Sequence, residues 1–91
     1  MKDRYTNIAK MLKALSDPKR LKIVDMLSRG ELCACVILEE FHITQPTLSH
    51  DMKVLVESGL VNDRREGKNI YYSIDKDAYI KLSESLKSVF E

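Results

Sequence analysis

The sequence predicts a mainly α fold with one β-hairpin, a winged helix-turn-helix, and three observations lead there. Apolar residues recur at helical spacing along segments separated by capping and breaking residues. A tight connection at Phe41-His42-Ile43 joins two of those segments, and the second keeps polar residues on its outer faces. Further on, β-branched and aromatic residues flank the turn-forming Glu66-Gly67-Lys68-Asn69 before a last helical stretch. Four helices, a hairpin and a final helix, in that order, are the winged form of the motif.

The elements follow from local chemistry. Ile8, Met11, Leu12 and Leu15 fall on one stripe of a first helix. Ser16-Asp17-Pro18 breaks and restarts the chain, because Asp17 can cap free N–H groups and Pro18 suits the first helical position. A second helix then runs to about Ser28, with Leu21, Ile23, Val24 and Leu27 towards the core and Gly30 as its stop. Residues 31–39 form a short apolar helix that leads through the tight connection to Thr44, a good cap for the next one. There Leu48, Met52, Leu55 and Val56 share a face, and Gly59 ends the helix. The hairpin spans residues 60–74. Asp75 or Asp77 caps the last helix, whose apolar stripe is Tyr79, Leu82, Leu86, Val89 and Phe90.

Ninety-one residues accommodate one domain, residues 1–91, and not two. With 44% hydrophobic and 32% charged residues, the composition is that of a globular chain, and no apolar run reaches the roughly 20 residues of a membrane span. Met1-Lys2-Asp3-Arg4-Tyr5 opens no secretion signal, so the cytoplasm is the expected location. The net charge of +1 makes no global case for nucleic acid. Locally, however, Lys10, Lys13, Lys19, Arg20, Lys22 and Arg29 are set against only Asp17 and Asp25. No Gly-rich phosphate loop and no nucleophile, base and orienting triad is present, so neither an enzyme nor a catalytic cofactor is expected.

The helix that starts after Thr44 places Gln45, Thr47, Ser49 and His50 where a major-groove helix presents base-reading side chains, with Lys53 towards the phosphate backbone. The competing reading is a solvated helix face. At the hairpin tip, Arg64, Arg65 and Lys68 can reach phosphates, although Asp63 and Glu66 dilute the charge. Neighbours on a strand point to opposite faces, so Arg64 and Arg65 cannot both do so in the same way, and one is free to pair with Asp63 or Glu66.

Cys33 and Cys35 are the chemical oddity. Thiolates bind soft ions such as Cd(II), Zn(II) and trivalent arsenic or antimony, and helix N-termini favour the thiolate. Within a regular helix, residues two apart lie about 200° around the axis, so one ion could be shared only if the helix distorts. That distortion is the expected switch, and a disulfide between two such positions would be strained. The bland alternative is that the cysteines fill space as small hydrophobes. His42 and His50 lack the spacing of a metal pair and are better suited to packing and DNA contact.

The runs Ala14-Leu15-Ser16-Asp17-Pro18-Lys19-Arg20-Leu21, Glu31-Leu32-Cys33-Ala34-Cys35 and Thr44-Gln45-Pro46-Thr47-Leu48-Ser49-His50, with residues 55–61 and Arg64-Arg65-Glu66-Gly67-Lys68, together resemble the ArsR family of metal-responsive repressors. The resemblance covers nearly the whole chain. It implies a homodimer that releases double-stranded operator DNA on binding an inducer. Cys33 and Cys35 match the family's arsenic and antimony sensors, which makes As(III) or Sb(III) the expected inducer, with Cd(II) or Zn(II) as further candidates. Those sensors often carry a third Cys where this chain has Leu38, so a third ligand must come from elsewhere. No His follows His50, which argues against the family's interfacial zinc site. Apolar stripes on the first and last helices of so small a chain are expected to be buried against a second copy. Two other functions use the same residues: a winged-helix protein-interaction module, and a redox-responsive repressor working through the two cysteines.

Overall fold

A computed structural model describes residues 4–91. Met1-Lys2-Asp3, the start of the segment read above for a secretion signal, lies outside the described residues. Five helices and three strands follow in the order α1 (Arg4–Leu15), α2 (Pro18–Leu27), β1 (Leu32–Cys33), α3 (Ala34–Phe41), α4 (Gln45–Glu57), β2 (Val61–Glu66), β3 (Asn69–Ile74) and α5 (Lys76–Phe90). The expected winged helix-turn-helix is present, and the strand β1 is an addition to it.

The predicted caps hold the helix starts. Asp17 accepts the Lys19 N–H at 2.7 Å with Pro18 in the first turn. Thr44 accepts from the Thr47 N–H at 3.4 Å, and Asp75, rather than Asp77, accepts from Ala78 N–H at 3.0 Å. The hairpin turns at Gly67-Lys68, where Gly67 takes a φ of +62°, a left-handed value that costs an L side chain energy. β2 and β3 pair antiparallel from Val61↔Ile74 to Glu66↔Asn69. β3 also pairs with β1 through Leu32↔Tyr72 and Cys33↔Tyr71, giving the sheet order β1-β3-β2.

Ile23, Ile37, Met52, Leu55 and Val61 are the largest fully buried side chains, so the core lies where α2, α3, α4 and the base of the wing meet. Two expected core positions face outwards. Leu21 is 52% exposed because it sits about 200° around α2 from the buried Ile23. There it lines an open groove of about 1250 Å³ with Tyr79 and Ile80. Leu12 is 40% exposed while the unpredicted Ala14 is buried. On α5 only Leu82 is buried and Leu86 partly so; Tyr79, Val89 and Phe90 are exposed. The stripes on α1 and α5 therefore exist but are wider than one chain covers. Among the described residues, no helix is long and apolar enough to cross a membrane.

Candidate functional site

The turn between α3 and α4 is made by His42, which closes α3 in the left-handed conformation (φ 52°, ψ 39°) while its N–H bonds the Leu38 carbonyl at 3.1 Å. The chain then enters α4 through extended Thr44. This geometry leaves Gln45, Thr47, Ser49, His50 and Lys53 exposed on α4. Thr47 is partly committed, since its hydroxyl lies 2.9 Å from that of Thr44.

The inner face of α4 contains a residue missed in the sequence. Asp51 is buried (2% exposed), and its carboxylate meets Lys19 Nζ at 2.8 Å and Arg20 Nη1 at 3.2 Å. Arg20 also donates from Nε to the Ala14 carbonyl at 2.7 Å. One carboxylate thus ties α4 to the start of α2, and through Arg20 to the end of α1. The signal was available: positions 48, 51, 52 and 55 follow helical spacing, and an Asp inside an apolar stripe calls for a cation.

On the wing, Arg64, Arg65 and Lys68 are all exposed. Arg64 is held from three sides. Its Nη2 and Nε donate to Glu31 at 2.8 and 3.2 Å, its Nη1 pairs with Glu66, and its guanidinium lies 4.7 Å from the Tyr71 ring centre. The pairing with Glu66 is one of those expected; Glu31 was not foreseen, because it lies 33 residues away in sequence. The hydrogen bonds from Arg64 hold the Glu31 carboxyl below the usual range, and Glu31 first and Glu66 second raise the Arg64 guanidinium above its own. Arg64 is thereby occupied on the wing, whereas among the ion pairs of the described residues neither Arg65 nor Lys68 takes part.

Cys33 and Cys35 depart from the expected arrangement. Cys33 is the last residue of β1 and caps α3 in an extended conformation (φ −68°, ψ 144°). Only Cys35 is in the helix, so the 200° argument does not apply. The Cα atoms are 5.2 Å apart, inside the ordinary range for a disulfide, and the sulfurs are bonded to each other. The Cys35 N–H also donates to Cys33 Sγ at 3.2 Å. The sulfurs already converge without distortion of the helix, and the strain expected of a bond between them had assumed a helical Cys33.

The pair opens on a cleft of about 160 Å³. Its walls include Leu38, Leu48, Ile70 and Tyr72, with Gln45 and Ser49 from the first turns of α4 and Lys68 from the wing turn. Tyr72 is buried, which pushes its hydroxyl pKa up. Neither His42 nor His50 lines the cleft. Among the described residues no three His, Cys, Asp or Glu side chains gather as a metal cluster. The donors suit a soft centre that takes two thiolates, and they do not complete a tetrahedral zinc site.

Fold and cleft define a winged helix-turn-helix with a cysteine pair against its second motif helix. Residues 17–63 match the family described as bacterial regulatory protein, arsR family. The chain belongs to that family, a class of regulators and not of enzymes. An arsenical resistance operon repressor of Staphylococcus xylosus is 46% identical over 82 residues, 90% of this chain and 79% of that protein. A cadmium resistance transcriptional regulatory protein CadC homolog of Staphylococcus aureus is 41% identical over 84 residues, covering 91% and 69%. The solution structure of a homodimeric winged helix-turn-helix DNA-binding domain from Mycobacterium bovis superposes with a TM-score of 0.77 at 30% identity, covering all of this chain and 89% of that one.

Proposed function

We propose that the chain is a homodimeric transcriptional repressor that holds operator DNA through α4 and the wing and releases it when Cys33 and Cys35 bind a trivalent arsenical, antimonial or other soft ion. The observation that carries the proposal is that the two sulfurs share one cleft with Gln45, Ser49 and Lys68. In this reading Gln45, Thr47, Ser49 and His50 face base edges, and Lys53, Arg65 and Lys68 face phosphates. Arg64 braces the wing and reaches DNA only if Glu31 lets go. A large atom bound to the sulfurs fills the space between the start of α4 and the wing turn, so the two DNA-facing parts no longer keep their spacing. The population shifts from the DNA-competent form without unwinding α3. The relatives named above support the soft-ion reading, and the open faces of α1 and α5 support the dimer.

The test is an operator-binding titration of reduced protein at several salt concentrations with As(III), Sb(III), Cd(II) and Zn(II), on wild type and on Cys33→Ser and Cys35→Ser. Wild type is expected to release specific duplex and the variants to retain it. Release by both variants at wild-type concentrations removes the site. No preference for its own upstream DNA over random duplex leaves the protein-interaction module. The bonded sulfurs favour a second reading, the redox-responsive repressor. In that case peroxide alone releases DNA and a thiol reductant restores binding.

A further inference from the structure

We infer that the Cys33–Cys35 pair is matched to trivalent arsenicals carrying one carbon substituent, R–As(OH)₂, in preference to arsenite; this rests on the sensor reading above and narrows its ligand class. Donor number is the first argument. Arsenite has three exchangeable oxygens, whereas R–As(OH)₂ has two, and thiolates are the soft donors arsenic prefers. Cys33 and Cys35 are the only cysteines among the 91 residues, so a second copy of the sequence brings no further kind of thiol to the cleft. One turn beyond Cys35, where a third sulfur could join them, stands Leu38.

The shape of the cleft is the second argument. Leu38, Leu48, Ile70 and Tyr72 put an apolar wall beside the sulfurs. Leu38 packs against the core, so the position that lacks a ligand is filled by hydrocarbon. The cleft's volume of about 160 Å³ is close to that of an apolar cavity, about 150 Å³, that holds benzene. A methyl or phenyl group on arsenic can lie there while the two sulfurs take the metalloid.

The chemistry balances without a change in arsenic oxidation state. Two equivalents of a monothiol reductant first open the disulfide, leaving as their own disulfide and delivering two electrons and two protons to the cysteine sulfurs. Each Cys S–H then displaces one hydroxide. Two As–S bonds form, two As–O bonds break, and the thiol protons depart in two waters. The protein gains the mass of R–As less two hydrogens.

The experiment uses the full chain, reduced and then freed of reductant so that no added thiol completes the coordination. Phenylarsonous acid, methylarsonous acid and arsenite are compared by intact mass and by release of operator duplex. The substituted acids are expected to form the adduct and to release half of the duplex at concentrations lower by at least about tenfold, a modest effect for one missing ligand. Leu38→Cys, checked for folding by its circular dichroism melt, is expected to bring arsenite level with them. Arsenite as potent as the substituted acids on wild type overturns the selectivity, as does a folded Leu38→Cys with unchanged arsenite potency. If none of the three compounds forms an adduct or releases DNA, the sensor reading itself falls.

Discussion

Asp51 brings a charge to the inner face of the helix proposed to read DNA, and its pairing with Lys19 and Arg20 fixes how that helix sits on α2. Asp51→Asn keeps the shape and removes the charge. The expected loss is about 2 kcal/mol, the size of a hydrogen-bonded charge contact, measured by urea unfolding. A loss under about 0.5 kcal/mol, the scale of an exposed pair, would mean that the contact contributes only surface electrostatics. At this scale the sequence was partly legible. The exposed residues of α4 followed from helical periodicity, while Asp51 sits at a core position of the same helix, where polarity alone points the other way. The cysteines were found as a pair, but their placement depended on one backbone torsion. Cys33 is extended, and nothing within residues 31–39 alone distinguishes that from a first helical turn.

Among the elements, the helices were legible because their signals are local: Asp17 with Pro18, Thr44, Asp75 and the apolar spacing between them. β1 was not. A strand of two residues has no periodicity to read, and its partner Tyr71-Tyr72 lies almost forty residues on. The same holds for Glu31, which stands just before β1 and clasps Arg64 on β2. Its carboxyl is held below the usual range by that clasp, so the stabilisation is fully present above the ordinary value near pH 4.5 and is lost as pH falls through the lowered one. The difference in thermal midpoint between wild type and Glu31→Gln is therefore expected at neutral pH and should shrink progressively as pH falls below 4.5. A difference that does not change at all as the carboxyl is titrated with acid would show that the glutamate acts through packing and not through its charge.

For the whole molecule, the large apolar side chains left in solvent concentrate at the α1–α5 end: Tyr5, Leu12, Val89 and Phe90 are 61, 40, 48 and 85% exposed. Arg4 already bridges the two helices by donating to Ser88 at 3.2 Å, which brings the start of α1 beside the end of α5. Leu12→Glu combined with Val89→Glu is expected to weaken self-association at least tenfold in sedimentation equilibrium, since an unpaired charge buried in an interface costs more than about 1.4 kcal/mol. The helical circular dichroism spectrum should be retained. Unchanged association would move the dimer contact elsewhere, with the groove beside Leu21 and Tyr79 the next surface to test.

The register of the sheet has a practical consequence for genetics. Cys33, Tyr71 and Arg64 stand in one row across β1, β3 and β2. At the spacing of neighbouring strands, Cys33 is about 10 Å from the outer strand of the wing. Over so short a span there is little intervening structure to mutate. If the proposed sensing holds, a selection for variants that bind the inducer yet stay on operator DNA should return few solutions, concentrated at Glu31, Leu38 and the first turn of α4. Most other lesions would impair capture, grip or folding, and not the conversation between them.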